Sequence, residues 1–164
     1  MPPITAVNAS DLHWLGMYRL MPDGSKEAKL FLKRLMGPSP WISQIWYEPG
    51  YVFPRHKHPV DEIFYILKGS FTINGHNLRQ GSVIFVPKQT MYGPEYTSGD
   101  GVLFLRVELW DTAAGLPGEE EGSSDSMGTF QTWEGPLMAD GTPDVGLAVP
   151  QTPVSEMSTE NAVG

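Results

Sequence analysis

Cysteine is absent from the 164-residue sequence, so the chain forms no disulfide and offers no thiolate ligand to a metal. Any metal must therefore be held by histidine, carboxylate or tyrosine side chains. No stretch approaches the roughly eighteen consecutive apolar residues that a membrane-spanning helix needs. Residues 1–10 contain neither the basic nor the apolar region of a secretory signal, and we expect a cytoplasmic protein.

Basic residues are also scarce, since 11 Lys and Arg stand against 19 Asp and Glu for a formal net charge of −8. A negative field repels phosphate backbones and anionic lipid heads, so we expect neither a nucleic-acid nor a membrane partner. The hydrophobic fraction of 40% is sufficient for one folded core, and the length favours a single domain.

Glycine and proline are abundant, with 18 and 15 copies, as expected of a protein with short strands and many turns. Residues 41–47, 63–67, 83–86 and 102–109 are rich in aromatic and β-branched side chains, which favours strands. Asn74-Gly75 lies between two such runs and predicts a two-residue hairpin turn. Residues 28–36 fit neither helical nor strand periodicity well, and we interpret them as a strand.

Three regions differ in composition. Residues 1–40 are mixed and are expected to form an N-terminal extension that packs on the core of residues 41–110. Residues 111–164 are rich in Gly, Pro, Ser and acidic side chains. This tail contains two short apolar segments, the apolar islands at 130–133 and 147–149. We expect that they dock on the core or on a partner subunit, or else that the whole tail is disordered.

One short stretch contains residues suited to metal chemistry. His56 and His58 are two apart, so on an extended backbone both imidazoles leave the same face. Glu62 follows the bend that Pro59 favours and opens the next strand, from which it can reach the same point. Two imidazoles and one carboxylate on one side of a metal ion leave its coordination positions on the other side open. This arrangement suits Fe(II), Mn(II), Ni(II) or Zn(II).

The spacing G-x5-H-x-H-x3-E-x6-G resembles the first motif of the cupin superfamily. It is filled by Gly50, His56, His58, Glu62 and Gly69. The second cupin motif is matched only in its first half, by Gly81 and Pro87. Gln89, Tyr92 and Tyr96 stand where that motif has glycine, the fourth ligand histidine and asparagine. The resemblance implies an all-β jelly-roll barrel with one divalent metal inside one end.

Tyr92 leaves three alternatives open. If it points towards the metal, its phenolate replaces the missing imidazole, or its phenol acts as an acid or base beside the ion. If it points away, the protein supplies three ligands and the site is more open. Gln44, Trp46, Phe64 and Arg106 are candidates for lining the cavity, although ordinary core packing explains the apolar ones equally well. An inward-facing Arg106 needs a partner; it either anchors a substrate carboxylate or pairs with Glu108 or another acid outside the barrel.

These features lead to two functional hypotheses. The first is a metal-dependent enzyme for a small organic substrate, aromatic or ketone-bearing, of the dioxygenase or the lyase, isomerase or cyclase type. Glu62 and Tyr92 would be its catalytic residues. The second is a non-catalytic cupin that senses or carries a small ligand and has a degenerate metal site. Cupin barrels often pair through their sheets, so we also expect a homodimer, with the N-terminal strand and the tail islands as exchanged elements.

Overall fold

The computed structural model of the chain describes residues 5–20, 24, 26–37, 40–109 and 129–146. These residues form nine strands and one 3-10 turn at Ala9–Asp11. The strands are β1 (Leu15–Leu20), β2 (Lys26–Met36), β3 (Trp41–Tyr47), β4 (Val52–Phe53), β5 (Asp61–Ile73), β6 (His76–Arg79), β7 (Val83–Val86), β8 (Glu95–Leu109) and β9 (Thr129–Thr132). Within these ranges, no helix has the length and apolar character to cross a membrane.

All nine strands belong to one antiparallel sheet, which confirms the all-β jelly-roll class expected from the sequence. The strand order is β6-β5-β8-β3-β2-β1-β9, with β4 paired to β8 and β7 paired to β5. Among the described residues, β6 and β9 at the two ends are not paired with each other, so the hydrogen-bonded sheet does not close into a complete barrel.

Two local predictions are confirmed. Residues 28–36 lie within strand β2, where pairing with β1 and β3 decides a pattern that periodicity left ambiguous. Asn74 and Gly75 connect β5 to β6 with φ angles of 48° and 78°, and Ile73 pairs with His76 across the turn. Positive φ at both central residues matches the right-handed twist of the flanking strands, which explains why Asn-Gly occupies this turn.

The two faces of the sheet contain separate apolar clusters, because successive side chains of a strand point to opposite faces. The inner cluster includes Phe64, Ile66, Phe71, Tyr92 and Phe104. The outer cluster consists of Trp14, Ala28, Phe31 and Trp46, which the described C-terminal residues cover in part.

Halfway along strands β5 and β8, the residues that face inwards switch between even-numbered and odd-numbered positions. In β5 the buried residues are first even-numbered (Glu62, Phe64, Ile66) and then odd-numbered (Phe71, Ile73). The pairing with β8 is irregular over this stretch, and residues 98–101 of β8 have no partner in β5. Gly69 and Gly101 meet here so closely that a Cβ on Gly69 would lie 2.0 Å from the Gly101 carbonyl oxygen. Only glycine at position 69 permits this approach.

Residues 129–146 pack on the N-terminal part of the chain. Strand β9 pairs with β1, so β1 is bonded on both sides within the same chain. The Trp14 indole donates a hydrogen bond to the Gly141 carbonyl at 2.8 Å, and Lys68 forms an ion pair with Asp140. The first apolar island therefore docks on its own sheet, while the island at 147–149 lies outside the described residues.

Candidate metal and ligand site

The two histidines lie in the connection between β4 and β5 and are held by backbone hydrogen bonds. His56 and Tyr92 form an isolated antiparallel bridge, with N–O distances of 3.0 Å in both directions. The His58 carbonyl accepts a hydrogen bond from the Gln89 amide at 2.7 Å. Gln89 has a φ of 61°, so it adopts the left-handed conformation that glycine would take at this motif position. The loop after β7 thus fixes the H-x-H segment.

Glu62 is the central acidic group of the site. It is the second residue of β5, and its side chain is 0% exposed because the even-numbered residues here face inwards. One carboxylate oxygen, Oε2, accepts a hydrogen bond from the Tyr92 hydroxyl at 2.8 Å. The other, Oε1, lies 3.7 Å from His58 Nε2. Tyr92 therefore points into the site, and the alternative in which it points away is wrong.

His56 is oriented by its own backbone neighbourhood. Its Nδ1 lies 2.8 Å from the Pro54 carbonyl oxygen, which can only accept a hydrogen bond. Nδ1 is therefore the protonated nitrogen, and Nε2 keeps its lone pair for a ligand. The ring centroid lies 5.0 Å from that of His58 and 4.3 Å from that of Tyr92.

Burial determines the protonation of these groups. It lowers the pKa of His56, and together with the nearby Arg106 it lowers the pKa of His58 to about 3. Both imidazoles are thus neutral at physiological pH, which is the form that binds metals. Burial also raises the pKa of Glu62 to about 7, although Arg106 and the Tyr92 hydrogen bond act in the opposite direction. Burial and the adjacent Glu62 raise the pKa of Tyr92, so its phenol keeps its proton.

A charged network on the neighbouring strands completes the site. Arg106 lies between two carboxylates, with Nη1 3.8 Å from Glu62 Oε1 and Nη2 3.5 Å from Glu108 Oε1. Arg34 approaches Glu108 Oε2 at 3.8 Å and stacks on the Trp41 ring, its Cζ 3.6 Å from the ring centroid. The sequence interpretation had placed Glu108 outside the barrel as one partner of Arg106. Positions 106 and 108 share a strand face, however, and Glu108 pairs directly with Glu62.

The residues present are compatible with a divalent cation. His58, Glu62 and Glu108 each offer a ligand atom within 4.8 Å of the others. Glu62 Oε1 is buried and forms no hydrogen bond with any described residue. Donors bound at about 2.1 Å to one ion lie roughly 3 Å apart, so the 3.7 Å separation of His58 and Glu62 needs only a small adjustment. His56, which the sequence predicts as a ligand, is not part of this group, although its ring centroid lies 5.0 Å from that of His58.

The four cavity-lining candidates separate into two pairs. Phe64 and Arg106 share the inner face with Glu62 and pair directly with each other across β5 and β8. Gln44 and Trp46 alternate onto the outer face, because the intervening Ile45 belongs to the inner cluster. Trp46 lines a groove of about 630 Å³ that includes residues of the C-terminal segment. Gln44 and Trp46 therefore do not line the space around Glu62.

A further buried carboxyl group lies on the inner face and was missed in the sequence. Glu95, the first residue of β8, is 1% exposed and accepts a hydrogen bond from the Tyr47 hydroxyl. Burial raises its pKa to about 7. No motif marks Glu95.

An all-β jelly-roll sheet with an H-x-H pair and a glutamate opening the next strand is the architecture of a cupin. Cupins commonly bind a metal. The chain belongs to the ChrR Cupin-like domain family, which matches residues 5–110.

Solved structures with the same fold include enzymes and an anti-sigma factor. The polyketide cyclase RemF from Streptomyces resistomycificus is 16% identical, with a TM-score of 0.50 over 65% of this chain and 79% of that one. KdgF from Halomonas sp. is 19% identical, with a TM-score of 0.49 over 68% and 98%. The anti-sigma factor ChrR of Rhodobacter sphaeroides, solved with SigE, is 18% identical, with a TM-score of 0.45 over 56% and 48%. At these identities the similarity concerns the fold alone. Among proteins with curated descriptions, none matches the sequence significantly.

Proposed function

We propose that the protein is a metal-dependent cupin enzyme that acts on a small organic substrate, as an oxygenase or as a lyase, isomerase or cyclase. The observation that carries this proposal is the pair formed by the half-buried His58 and the fully buried Glu62. Its facing atoms are 3.7 Å apart, and Glu62 Oε1 lacks a hydrogen bond from any described group. His56 joins them as the third ligand through the nitrogen that Pro54 leaves free. The polyketide cyclase RemF, which has a similar fold, supports a catalytic role in this proposal.

The side chains around the ion have separable roles in this proposal. Bound Fe(II), Mn(II), Ni(II) or Zn(II) supplies Lewis acidity or a position for O₂. Tyr92 orients Glu62 by donating to Oε2, which leaves Oε1 for the ion. Tyr92 keeps the proton of its hydroxyl group and donates it to Glu62, so in this proposal it acts as a hydrogen-bond donor rather than as a phenolate ligand. The ring centroid of Phe64 lies 6.1 Å from that of Tyr92 and 5.5 Å from that of Phe104. These three rings form an aromatic wall suited to an aromatic or ketone-bearing substrate.

Elemental analysis by plasma mass spectrometry tests the metal site directly. We expect about one equivalent of a transition metal in the protein purified without a tag or chelator, and its loss in a His56→Ala/His58→Ala variant. The other two histidines of the chain, His13 and His76, are exposed and provide a matched His13→Ala/His76→Ala control that keeps the metal. Equal metal content in both double variants, or none in the wild type after reconstitution, would contradict the proposal.

The Arg106 guanidinium favours a second candidate function, a non-catalytic cupin that senses or carries a small ligand. Arg106 already lies 3.8 Å from Glu62 and 3.5 Å from Glu108, and together with Arg34 it balances both carboxylates without a metal. Tight, stoichiometric metal would count against this candidate. Ligand binding by metal-free protein without turnover would favour it.

We further propose that the protein forms a homodimer through the outer face of β7, β5 and β8. Four large apolar side chains are exposed there: Tyr65 (43%), Val83 (62%), Phe85 (55%) and Leu109 (44%). Direct pairing places Tyr65 beside Val83 on neighbouring strands, so the apolar residues form a continuous surface. A second copy of the same surface buries it symmetrically.

Light scattering during size-exclusion chromatography tests the dimer. The wild type should have twice the monomer mass of 18.1 kDa, and a Val83→Glu/Phe85→Glu variant should be monomeric. Leu137 is similarly exposed, at 53%, but lies in the C-terminal segment, so Leu137→Glu should remain dimeric. A monomeric wild type at micromolar concentration would exclude this interface.

A further inference from the structure

Two arginines and a serine occupy one transverse row of the sheet beside the candidate metal ligands. Arg34 on β2 pairs directly with Ser43 on β3, and Ser43 pairs directly with Arg106 on β8. Directly paired residues share a face of the sheet. Ser43 is 0% exposed, so the row faces inwards. The adjacent row contains Glu62 and Glu108, which pair with each other across β5 and β8.

Each of the three residues in the row has a buried donor without a hydrogen bond. Arg34 Nη1, Ser43 Oγ and Arg106 Nε are all shielded from solvent and form no hydrogen bond with a described group, although Arg34 Nη1 has the 3.8 Å ion pair with Glu108. Leaving a buried donor unpaired costs roughly 1–3 kcal/mol, more for a charged one, so a cluster of three is unusual in a folded protein. Ser43 is the shortest of the three, and its hydroxyl is fully shielded from solvent, so a ligand reaches it only when the neighbouring side chains move.

The charges in this region also favour an anionic ligand. The two arginines balance Glu62 and Glu108, so the site has no net charge before metal binding. A divalent cation on Glu62 adds two positive charges and repels the guanidinium that now lies 3.8 Å from Glu62 Oε1. Arg106 then keeps only Glu108 of its two carboxylates, and the site gains positive charge that favours an anionic ligand.

We propose that Arg106, Ser43 and Arg34 bind the carboxylate group of an anionic small molecule at the mouth of the metal site. The planar guanidinium of Arg106 matches a carboxylate with two parallel hydrogen bonds, and the Ser43 hydroxyl donates a third. Arg34 is held in place by its stacking on Trp41 and adds long-range attraction. This inference rests on the proposed function, because it names the substrate class of the same site.

Isothermal titration calorimetry with benzoate and succinate, each compared with its neutral amide, tests the proposal. We expect at least one carboxylate to bind the Zn²⁺-loaded protein at least tenfold more tightly than benzamide or succinamide. Arg106→Lys keeps the charge but loses the planar fork, so carboxylate affinity should fall at least tenfold. Ser43→Ala keeps both charges and tests the site even if the Arg106 variant fails to fold. The exposed Arg79 lies on β6, and Arg79→Gln is the matched control that should bind like the wild type.

The outcomes separate this inference from the metal proposal. If the protein binds no Zn²⁺ but metal-free protein binds a carboxylate in a way that depends on Arg106 and Ser43, the metal proposal fails and this inference stands. If Zn²⁺ binds but both amides bind as tightly as their acids, this inference is overturned and the metal proposal stands. Carboxylate affinity that is undetectable in both forms, or unchanged in Arg106→Lys and Ser43→Ala, also overturns it.

Discussion

Glu95 is a buried carboxyl group whose ionisation should make the fold less stable as pH rises. Its side chain is 1% exposed, and its hydrogen bond from Tyr47 does not offset the loss of hydration. Burial therefore raises its pKa from the ordinary 4.5 to about 7. Because the folded state holds this proton more tightly than the unfolded state, the resulting stabilisation is fully present below pH 4.5. It is lost as pH rises through about 7.

The size of the effect follows from the shift. A difference of about 2.5 pKa units corresponds to roughly 3 kcal/mol, because each unit is worth about 1.4 kcal/mol. Glu95→Gln removes this titration while its amide oxygen still accepts the Tyr47 hydrogen bond. The stability of the variant relative to wild type should therefore increase by about 3 kcal/mol between pH 4.5 and pH 8. Glu62 titrates in the same window and its charge helps to raise the pKa of Glu95, so the difference between the two proteins includes this coupling.

Urea unfolding of metal-free protein, followed by tryptophan fluorescence at several pH values from 4.5 to 8, measures this difference. The comparison uses the change with pH, so any constant effect of the amide side chain is removed. The exposed Glu134→Gln should give a curve parallel to wild type. If the Glu95→Gln curve is also parallel to wild type, Glu95 is ionised in the fold without penalty and the reasoning fails.

Two further substitutions probe the hydrogen bond from Tyr92 to Glu62 and the close packing at Gly101. Tyr92→Phe leaves Glu62 Oε2 without its 2.8 Å hydrogen bond, so we expect a loss of roughly 1–3 kcal/mol in urea unfolding at pH 8 and a further rise in the pKa of Glu62, seen by carboxyl NMR titration. Unchanged values would show that Tyr92 does not support Glu62. Gly101→Ala places a Cβ 2.6 Å from Trp46 Cη2, whereas Gly50→Ala has almost the same φ (71° against 70°) and no atom within 4 Å. Gly101→Ala should therefore lower the free energy of unfolding more than Gly50→Ala does, by an additional roughly 1–3 kcal/mol. Equal losses in the two variants would assign the whole effect to backbone strain.

Local sequence signals predicted the parts of the fold that depend on short-range chemistry. Asn74-Gly75 identified a hairpin because few residue pairs tolerate positive φ at both positions. The H-x-H spacing identified two neighbouring imidazoles because side chains two apart on extended backbone share a face. The ring centroids of His56 and His58 indeed lie 5.0 Å apart.

The rest of the site depends on pairing between distant strands, which the sequence does not specify. Arg106 and Glu108 share a face by simple alternation, but only the pairing of β8 with β5 shows that this face is the one containing Glu62. The same long-range register places Trp46 on the outer face. The sequence gives no cue for the deep burial of Glu95, because a single glutamate at the start of a strand is usually exposed.

The unpaired residues 98–101 of β8 divide this strand into two halves whose pairing registers are set separately. An insertion or deletion among residues 98–100 would change the length of the bulge and leave both registers intact. The same change within residues 102–109 would turn Arg106 and Glu108 towards solvent, since a shift by one residue inverts a strand. The buried carboxyl of Glu95 and the row that contains Arg106, at the opposite end of β8, can therefore be altered independently of each other. Between them, a change in chain length is tolerated at the unpaired residues.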